Sequence, residues 1–485
     1  MSLFKKAIKK VSGSKEIKAS TAYVFCSVLQ KCLSFITLPL FTRLMTTEEF
    51  GLGTVYSSTM AIVIIFITLN LPYGSFSPAM MKFEKDREGY ISAVNAICIF
   101  FTIIYFIIYF PLRVIWNDLL DLPTSVMILM GFEILFSTAT QFWMGKARFE
   151  YKYKEVVIIT LVSSVIATLV SLAAVILLPN KGEAKVLSHG IVISVIGLVI
   201  LVKSLFSGRK CLNNEYWKYA LSFNIPLIPY YLSQIVFNQS DRLMINKMCG
   251  RSDAAMYGVA YTLAFVLTFV LNAINNSFVP WMYRKIKDNQ LKDNQSVSLI
   301  ISLIMAFLIL GIIALAPEII LIMGGEKYMP AVWVVPPVAI SLLLLFYSQL
   351  FINIEFYFEE KYQLVIASIG AAVINIVLNY FFIGKFGFIA AGYTTLVSYI
   401  IFALSNYFAM NYICKKRNMD SKLYNYKLLL LILFGLMIMT ALFMFLYNYQ
   451  IIRYGIILFG IMMAFVFRRE LIKIGKRVFK EIKAK

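Results

Sequence analysis

The chain alternates long apolar runs with short polar breaks. Fourteen runs come close to or exceed the roughly 20 residues that cross a bilayer as a helix. The first seven are 20–42, 51–72, 90–111, 122–144, 156–178, 186–206 and 219–238. The other seven are 255–280, 297–316, 331–352, 362–382, 387–411, 425–446 and 450–467. Only Tyr447–Tyr449 separates the last two, so misreading that pair would leave twelve or thirteen. Runs such as Val156–Leu178 show no alternation of polar and apolar positions, which argues against the strands of an outer-membrane barrel. The pattern predicts an all-α polytopic membrane protein with about 14 transmembrane helices.

Composition strengthens this reading. The 485 residues are 60% hydrophobic and 15% charged, against about 25% charged in soluble chains. Forty Phe and 29 Tyr exclude disorder. The net charge of +21 points to anionic lipid and the positive-inside rule, with no nucleic acid as partner. If the N-terminus is cytoplasmic, 35 of the 46 Lys and Arg fall on the inner side, 10 fall on the outer side, and Lys31 lies at the centre of its helix. This predicts cytoplasmic termini and an even number of spans in a bacterial inner membrane. The basic tail from Arg468 to Lys485 reads as an anchor on anionic lipid. Lys5, Lys6, Lys9 and Lys10 precede a run too long for a signal-peptide core.

Covalent chemistry has little to build on. Cys26, Cys32, Cys98, Cys211, Cys249 and Cys414 form no CxxC pair, His189 is the lone histidine, and no GxxxxGK[ST] occurs. No catalytic residue, metal or cofactor is expected. The longest predicted outer loop, Gln239–Ala254, leaves little room for the outer domain of a polymerase or ligase.

The informative polar residues lie at membrane depth, where they usually face protein or water. Lys31 is eleven residues from either end of its run, about 16 Å from each surface. Glu133 shares its depth with opposite sign, so an ion pair is open. Gln234, Asn238 and Asp241 share one helix face, as do Asn272 with Asn276 and Asn375 with Asn379; Asn275 lies beside the second pair. Asn224 joins the set. Two readings stay open: interhelical hydrogen bonds of about 1 kcal/mol each, or a wet cavity suited to a polyhydroxylated anion. Pro226, Pro229, Pro336 and Pro337 interrupt their spans and predict bends.

Arg43-Leu-Met and Phe50-Gly51 after the first span return as Arg242-Leu-Met and Tyr257-Gly258 after the seventh. Both spans run in the same direction, which suggests parallel repeats. The expected organisation is an N-terminal six-helix lobe over 1–206, a parallel-related lobe over 207–412, and a helix pair with the basic tail over 413–485.

Two stretches carry a resemblance. One is Leu38-Pro-Leu-Phe-Thr-Arg43-Leu-Met-Thr-Thr-Glu-Glu-Phe50-Gly51. The other is Asn238-Gln-Ser-Asp241-Arg242-Leu-Met-Ile, then Met256-Tyr257-Gly258-Val-Ala260-Tyr261. Ala316-Pro317-Glu318 and Gly324-Gly325-Glu-Lys-Tyr328 add to them. From about Ser20 to Tyr412 the chain resembles the bacterial polysaccharide-biosynthesis flippases of the multidrug/oligosaccharidyl-lipid/polysaccharide exporter superfamily. The resemblance implies a flippase, not an enzyme. It would move undecaprenyl-diphosphate-linked oligosaccharide units for O-antigen, capsule or exopolysaccharide synthesis by alternating access. Its partners would be that lipid-linked sugar, membrane lipids, and a polysaccharide polymerase with chain-length proteins. Lys31, Arg43 and Arg242 would meet phosphate or acidic sugar, with Asp241 and Glu133 as polar or proton-linked partners. Lys82, Arg284 and Lys285 at the inner rim are alternatives for the phosphate. Coupling to a proton or sodium gradient stays open. Rival readings are a peptidoglycan-precursor flippase, a multidrug or cation antiporter, a membrane enzyme and a scaffold.

Overall fold

The computed structural model describes residues 15–288, 291–360, 362–417, 419, 423–466 and 468. Lys5, Lys6, Lys9, Lys10 and the basic tail beyond Arg468 lie outside the described residues. Among the described residues every regular element is helical and there is no strand. The first helices are α1 (Lys15–Leu44), α2 (Thr47–Thr68), α3 (Phe76–Lys82), α4 (Arg87–Tyr109), α5 (Arg113–Leu120), α6 (Thr124–Phe149), α7 (Tyr153–Leu177), α8 (Lys181–Gly208), α9 (Asn214–Asn224) and α10 (Ile228–Cys249). They are followed by α11 (Arg251–Phe265), α12 (Leu267–Lys287), α13 (Leu291–Ala314), α14 (Ala316–Gly324), α15 (Val335–Tyr357), α16 (Tyr362–Phe386), α17 (Ile389–Lys416), α18 (Tyr426–Phe445) and α19 (Gln450–Val466).

Thirteen described helical segments are long and apolar enough to cross a membrane. They correspond one for one to the first thirteen predicted runs. The predicted fourteenth, α19, has 17 described residues, Gln450–Val466, fewer than each of those thirteen. Two spans are longer than predicted, covering Asn214–Cys249 and Arg251–Lys287. Both are composite, because a short 3-10 turn joins α9 to α10 and a local break separates α11 from α12.

The prolines act differently from expectation. Pro229 stands in the first turn of α10, and Pro336–Pro337 open α15 directly after a 3-10 run over Glu326–Val334. At a helix start the missing N–H is one that the helix leaves unbonded anyway. These prolines therefore begin helices and do not bend their interiors. Pro226 lies in the 3-10 turn Ile225–Leu227 and is the one that interrupts its span.

The chain forms two compact units, Met1–Ala255 and Met256–Lys485. Helix α10, expected to open the second lobe, packs on α2 within the first unit. The start of α2 shows what Glu48-Glu49-Phe50-Gly51 does. Thr46 and Glu49 form a reciprocal cap: the Glu49 amide donates to Thr46 Oγ1 (3.1 Å), and the Thr46 amide donates to Glu49 Oε2 (2.7 Å). Phe50 is buried under the Lys185 ammonium, 4.0 Å from its ring centre. A Cβ on Gly51 would meet the Arg251 carbonyl oxygen at 2.1 Å, so only glycine admits that backbone. Arg251 in turn grips Asp121, through Nε to Oδ2 (2.6 Å) and Nη2 to Oδ1 (2.7 Å) and the carbonyl (2.8 Å).

The second unit centres on α15, whose side chains are mostly buried, packed against α16's neighbour α17. Helices α18 and α19 are tied on by polar contacts. Tyr347 donates to the Leu429 carbonyl (3.0 Å) and Tyr447 to that of Ile313 (2.8 Å). Arg453, 0% exposed, bonds Glu318 in the first turn of α14, and Tyr454 donates to the same carboxylate oxygen (2.7 Å).

Candidate functional site

The first unit holds both intramembrane charges singled out above, and they are not partners. Gln30 donates to Ser164 Oγ on α7 (2.9 Å), which fixes how α1 faces its neighbour. Lys31 is the next residue, turned about 100° around the helix, and its side chain is exposed. Glu133 is 7% exposed, and its Oε2 accepts a hydrogen bond from the Tyr56 hydroxyl (2.6 Å). A Cβ on Gly190 would lie 2.4 Å from that same oxygen. Glycine there lets α8 close over the carboxyl, as small residues do at membrane helix interfaces. The Lys31–Glu133 ion pair that equal depth allowed is therefore not formed. Depth alone does not fix which way a side chain turns, and Glu133 turns toward α2 and α8.

Arg43 is exposed in the last turn of α1, and among the described residues it makes no ion pair with Glu48 or Glu49. The Glu49 carboxylate is occupied by the cap of α2. Lys181, from the start of α8, donates to the Leu44 carbonyl beside Arg43 (2.8 Å).

On α10 the polar motif forms a local network. The Asn238 amide donates to the Gln234 carbonyl (2.7 Å), and Arg242 reaches the Asn238 carbonyl (3.4 Å) and Gln239 Oε1 (2.6 Å). Ser58 of α2 donates to the same Gln239 oxygen (3.2 Å). Asp241 is 1% exposed. Asn224, at the end of α9, is fully buried. It accepts from the Ser75 amide (3.3 Å) and donates to Ser75 Oγ (2.6 Å) and the Ala220 carbonyl (2.7 Å). Its amide is committed to the turn that follows α2.

In the second unit the asparagines separate into two kinds. Asn272 and Asn276 are exposed on α12, and Asn275 between them donates to Gln349 of α15. Asn375 and Asn379 are fully buried on α16, where Asn379 donates to Asn375 (3.2 Å) and accepts from Thr394 of α17. At the ends of the spans, Lys285 pairs with Asp293 (2.7 Å), and Lys82 lies 4.4 Å from the ring centre of Tyr219.

Sequence reasoning missed Tyr56, Gln239, Gln349 and Thr394. Gln239 lies inside the quoted motif and could have been included. Tyr56, Gln349 and Thr394 have partners on other helices, visible only once helices pack. It also missed Glu355, which is treated below.

A match to the family described as polysaccharide biosynthesis protein covers residues 17–286. The chain belongs to this family. It is a polytopic membrane protein related to polysaccharide-biosynthesis flippases, and its membership fits a non-catalytic transporter of the bacterial inner membrane. A Haemophilus influenzae protein encoded at the Lsg locus is 22% identical over 286 residues, 57% of this chain and 68% of that protein. Among solved structures, the fold is shared with the lipid II flippase MurJ in an inward closed conformation. The TM-score is 0.66 at 14% identity, covering 94% of this chain and 100% of that one. It is also shared with an inward-facing multidrug resistance MATE family transporter of the MOP superfamily. There the TM-score is 0.58 at 11% identity, covering 80% of this chain and 95% of that one.

Proposed function

We propose that this protein is the flippase for undecaprenyl-diphosphate-linked oligosaccharide units destined for O-antigen, capsule or exopolysaccharide. The observation that carries the reading is the family match over residues 17–286. The shared fold with a lipid II flippase supports it, because the physical task is the same kind. A sugar headgroup with two phosphates cannot shed its water into hydrocarbon without a large penalty. A polar path through the protein removes most of that barrier without covalent chemistry.

In this reading two parallel-related six-helix lobes alternate access, and a C-terminal helix pair is an addition. The lobes cover 1–206 and 207–412, the remainder is 413–485, and both termini are cytoplasmic. Lys31 and Arg43, both exposed on α1, meet phosphate or acidic sugar, with Arg242 as a third basic contact. Asn272 and Asn276, exposed on α12, offer amides to sugar hydroxyls. A polysaccharide polymerase and chain-length proteins receive the product.

The test is complementation of a strain lacking its own repeat-unit flippase, scored for surface polysaccharide, with Lys31→Ala at equal abundance beside wild type. Rescue by wild type alone supports the class and places Lys31 in the path. Rescue by both keeps the class and makes Lys31 structural. Failure of wild type even with its native sugar pathway supplied, joined to rescue of a strain depleted of its lipid II flippase, would replace this reading by the peptidoglycan-precursor one. Drug efflux without either rescue would favour the antiporter.

A further inference from the structure

Among the described residues of the second unit, Glu355 is the carboxyl with both oxygens buried and unbonded. It stands in the last turn of α15, is 1% exposed, and neither carboxyl oxygen has a hydrogen-bond partner among the described residues. Its backbone carbonyl accepts from Glu360 (2.9 Å), so the chain folds back directly beneath it. One turn earlier on the same face, Phe351 packs against Tyr407 of α17 and against Tyr424 and Tyr426, with ring centres 5.6, 6.0 and 6.4 Å away. Glu355 therefore continues an aromatic, water-poor face.

The titratable groups around this end are already engaged elsewhere. From α17, Lys416 and Arg417 both turn to Glu360 (2.7 and 3.2 Å), and Cys414 is buried. From α12, Lys285 is paired with Asp293 of α13 (2.7 Å), and Tyr283 packs on Tyr357 (5.2 Å between ring centres). Tyr424, ahead of α18, has its hydroxyl at the Leu350 carbonyl, to which it donates (2.9 Å), with Met282 Sδ 3.2 Å away. Among the described residues none of them donates to Glu355. An enclosed carboxylate without donor or counter-charge would be strongly destabilising, whereas a neutral carboxyl fits an apolar enclosure. Intramembrane acids of this kind are where transporters exchange protons.

We propose that Glu355 is a proton-exchange site of the second unit. Enclosed, it carries a proton. When the end of α15 and the Tyr424 segment part and water reaches the carboxyl, its O–H bond breaks and the proton passes to that water. Re-enclosure then requires a proton to be taken up again. The site would couple a conformational step to the proton gradient, and in that role it rests on the transporter reading above.

The test is infrared difference spectroscopy of the purified full-length protein in detergent, stepped from mildly acidic to alkaline pH. It needs no substrate, so it can fail or succeed independently of the flippase assignment. Wild type should lose a protonated-carboxyl band on the alkaline step and gain a carboxylate band. Glu355→Gln should lack that change, while Glu133→Gln retains it. Glu355→Asp, the fallback if Glu355→Gln does not fold, should keep the change with a displaced band. Identical difference spectra for wild type and Glu355→Gln would overturn the proposal, as would a band that does not respond to pH. In the polysaccharide rescue assay, an unaltered pH profile in Glu355→Gln would overturn the coupling role.

Discussion

Replacing Gly51 by alanine tests the close approach at the start of α2. The new Cβ would stand 2.1 Å from the Arg251 carbonyl oxygen, 2.7 Å from its carbon and 3.0 Å from its Cβ. Comfortable carbon contacts lie near 3.5–4.0 Å, so the backbone must retreat by more than an ångström. Arg251 resists, because three hydrogen bonds hold it to Asp121 and Ser252 donates to Thr47 (2.7 Å). Overpacking of this kind costs about 1–3 kcal/mol. The strained Arg251–Asp121 contacts, partly exposed, add about 1 kcal/mol. The better helix propensity of alanine returns about 1 kcal/mol. The net loss is about 2 kcal/mol, or about 4–8 °C in melting midpoint for a unit of this size. Gly53 supplies the control within the same helix: a Cβ there meets nothing nearer than 3.9 Å, so Gly53→Ala should melt at or slightly above wild type. The assay is the apparent melting midpoint of detergent-solubilised protein followed by size-exclusion fluorescence. Gly51→Ala melting at or above wild type, or Gly53→Ala falling as far, would refute the reasoning.

Two further outcomes follow from contacts described above. Tyr56→Phe removes the hydroxyl that serves Glu133 and should destabilise by about 1–3 kcal/mol. The double variant Tyr56→Phe/Glu133→Leu should lose less than the two single changes together, read from the same melting midpoints. The Lys416 ammonium, followed by the Arg417 charge, holds the Glu360 carboxyl below the usual glutamate range. Its stabilising contribution is thus fully present above about pH 4.3 and fades as acidification passes through the lowered folded value. Wild type and Glu360→Gln should differ in melting midpoint near neutrality and converge in acid; a gap that widens in acid would contradict the assignment.

Most of the fold is legible in the sequence because hydrocarbon allows so few spanning structures. A run of some 20 apolar residues has to be a helix when no water can satisfy its backbone, and thirteen runs became thirteen helical spans, two of them composite. Boundaries were harder where a run contains proline. Pro226 made 219–238 look like one bent span, whereas the helix restarts at Ile228 and continues to Cys249. Side-chain partnerships were not legible. Lys31 and Glu133 share a depth, but depth carries no azimuth. The Tyr56 hydroxyl that serves Glu133 sits 77 residues away in an apolar run. Glu355 went unnoticed because it lies three residues beyond its predicted span and reads as an ordinary loop acid.

Arg453 bears on how the chain is made. Its helix has 17 described residues, Gln450–Val466, and carries a guanidinium near its start. Such a segment partitions poorly into lipid by itself. Its counter-charge, Glu318, was synthesised 135 residues earlier at the head of α14. Stable seating of the α18–α19 hairpin therefore requires that α14 has already taken its place. Losing Glu318 would strand a buried arginine in an apolar segment without its counter-charge, which is strongly destabilising. The ion pair thus makes the seating of α19 depend on α14, which is made before it.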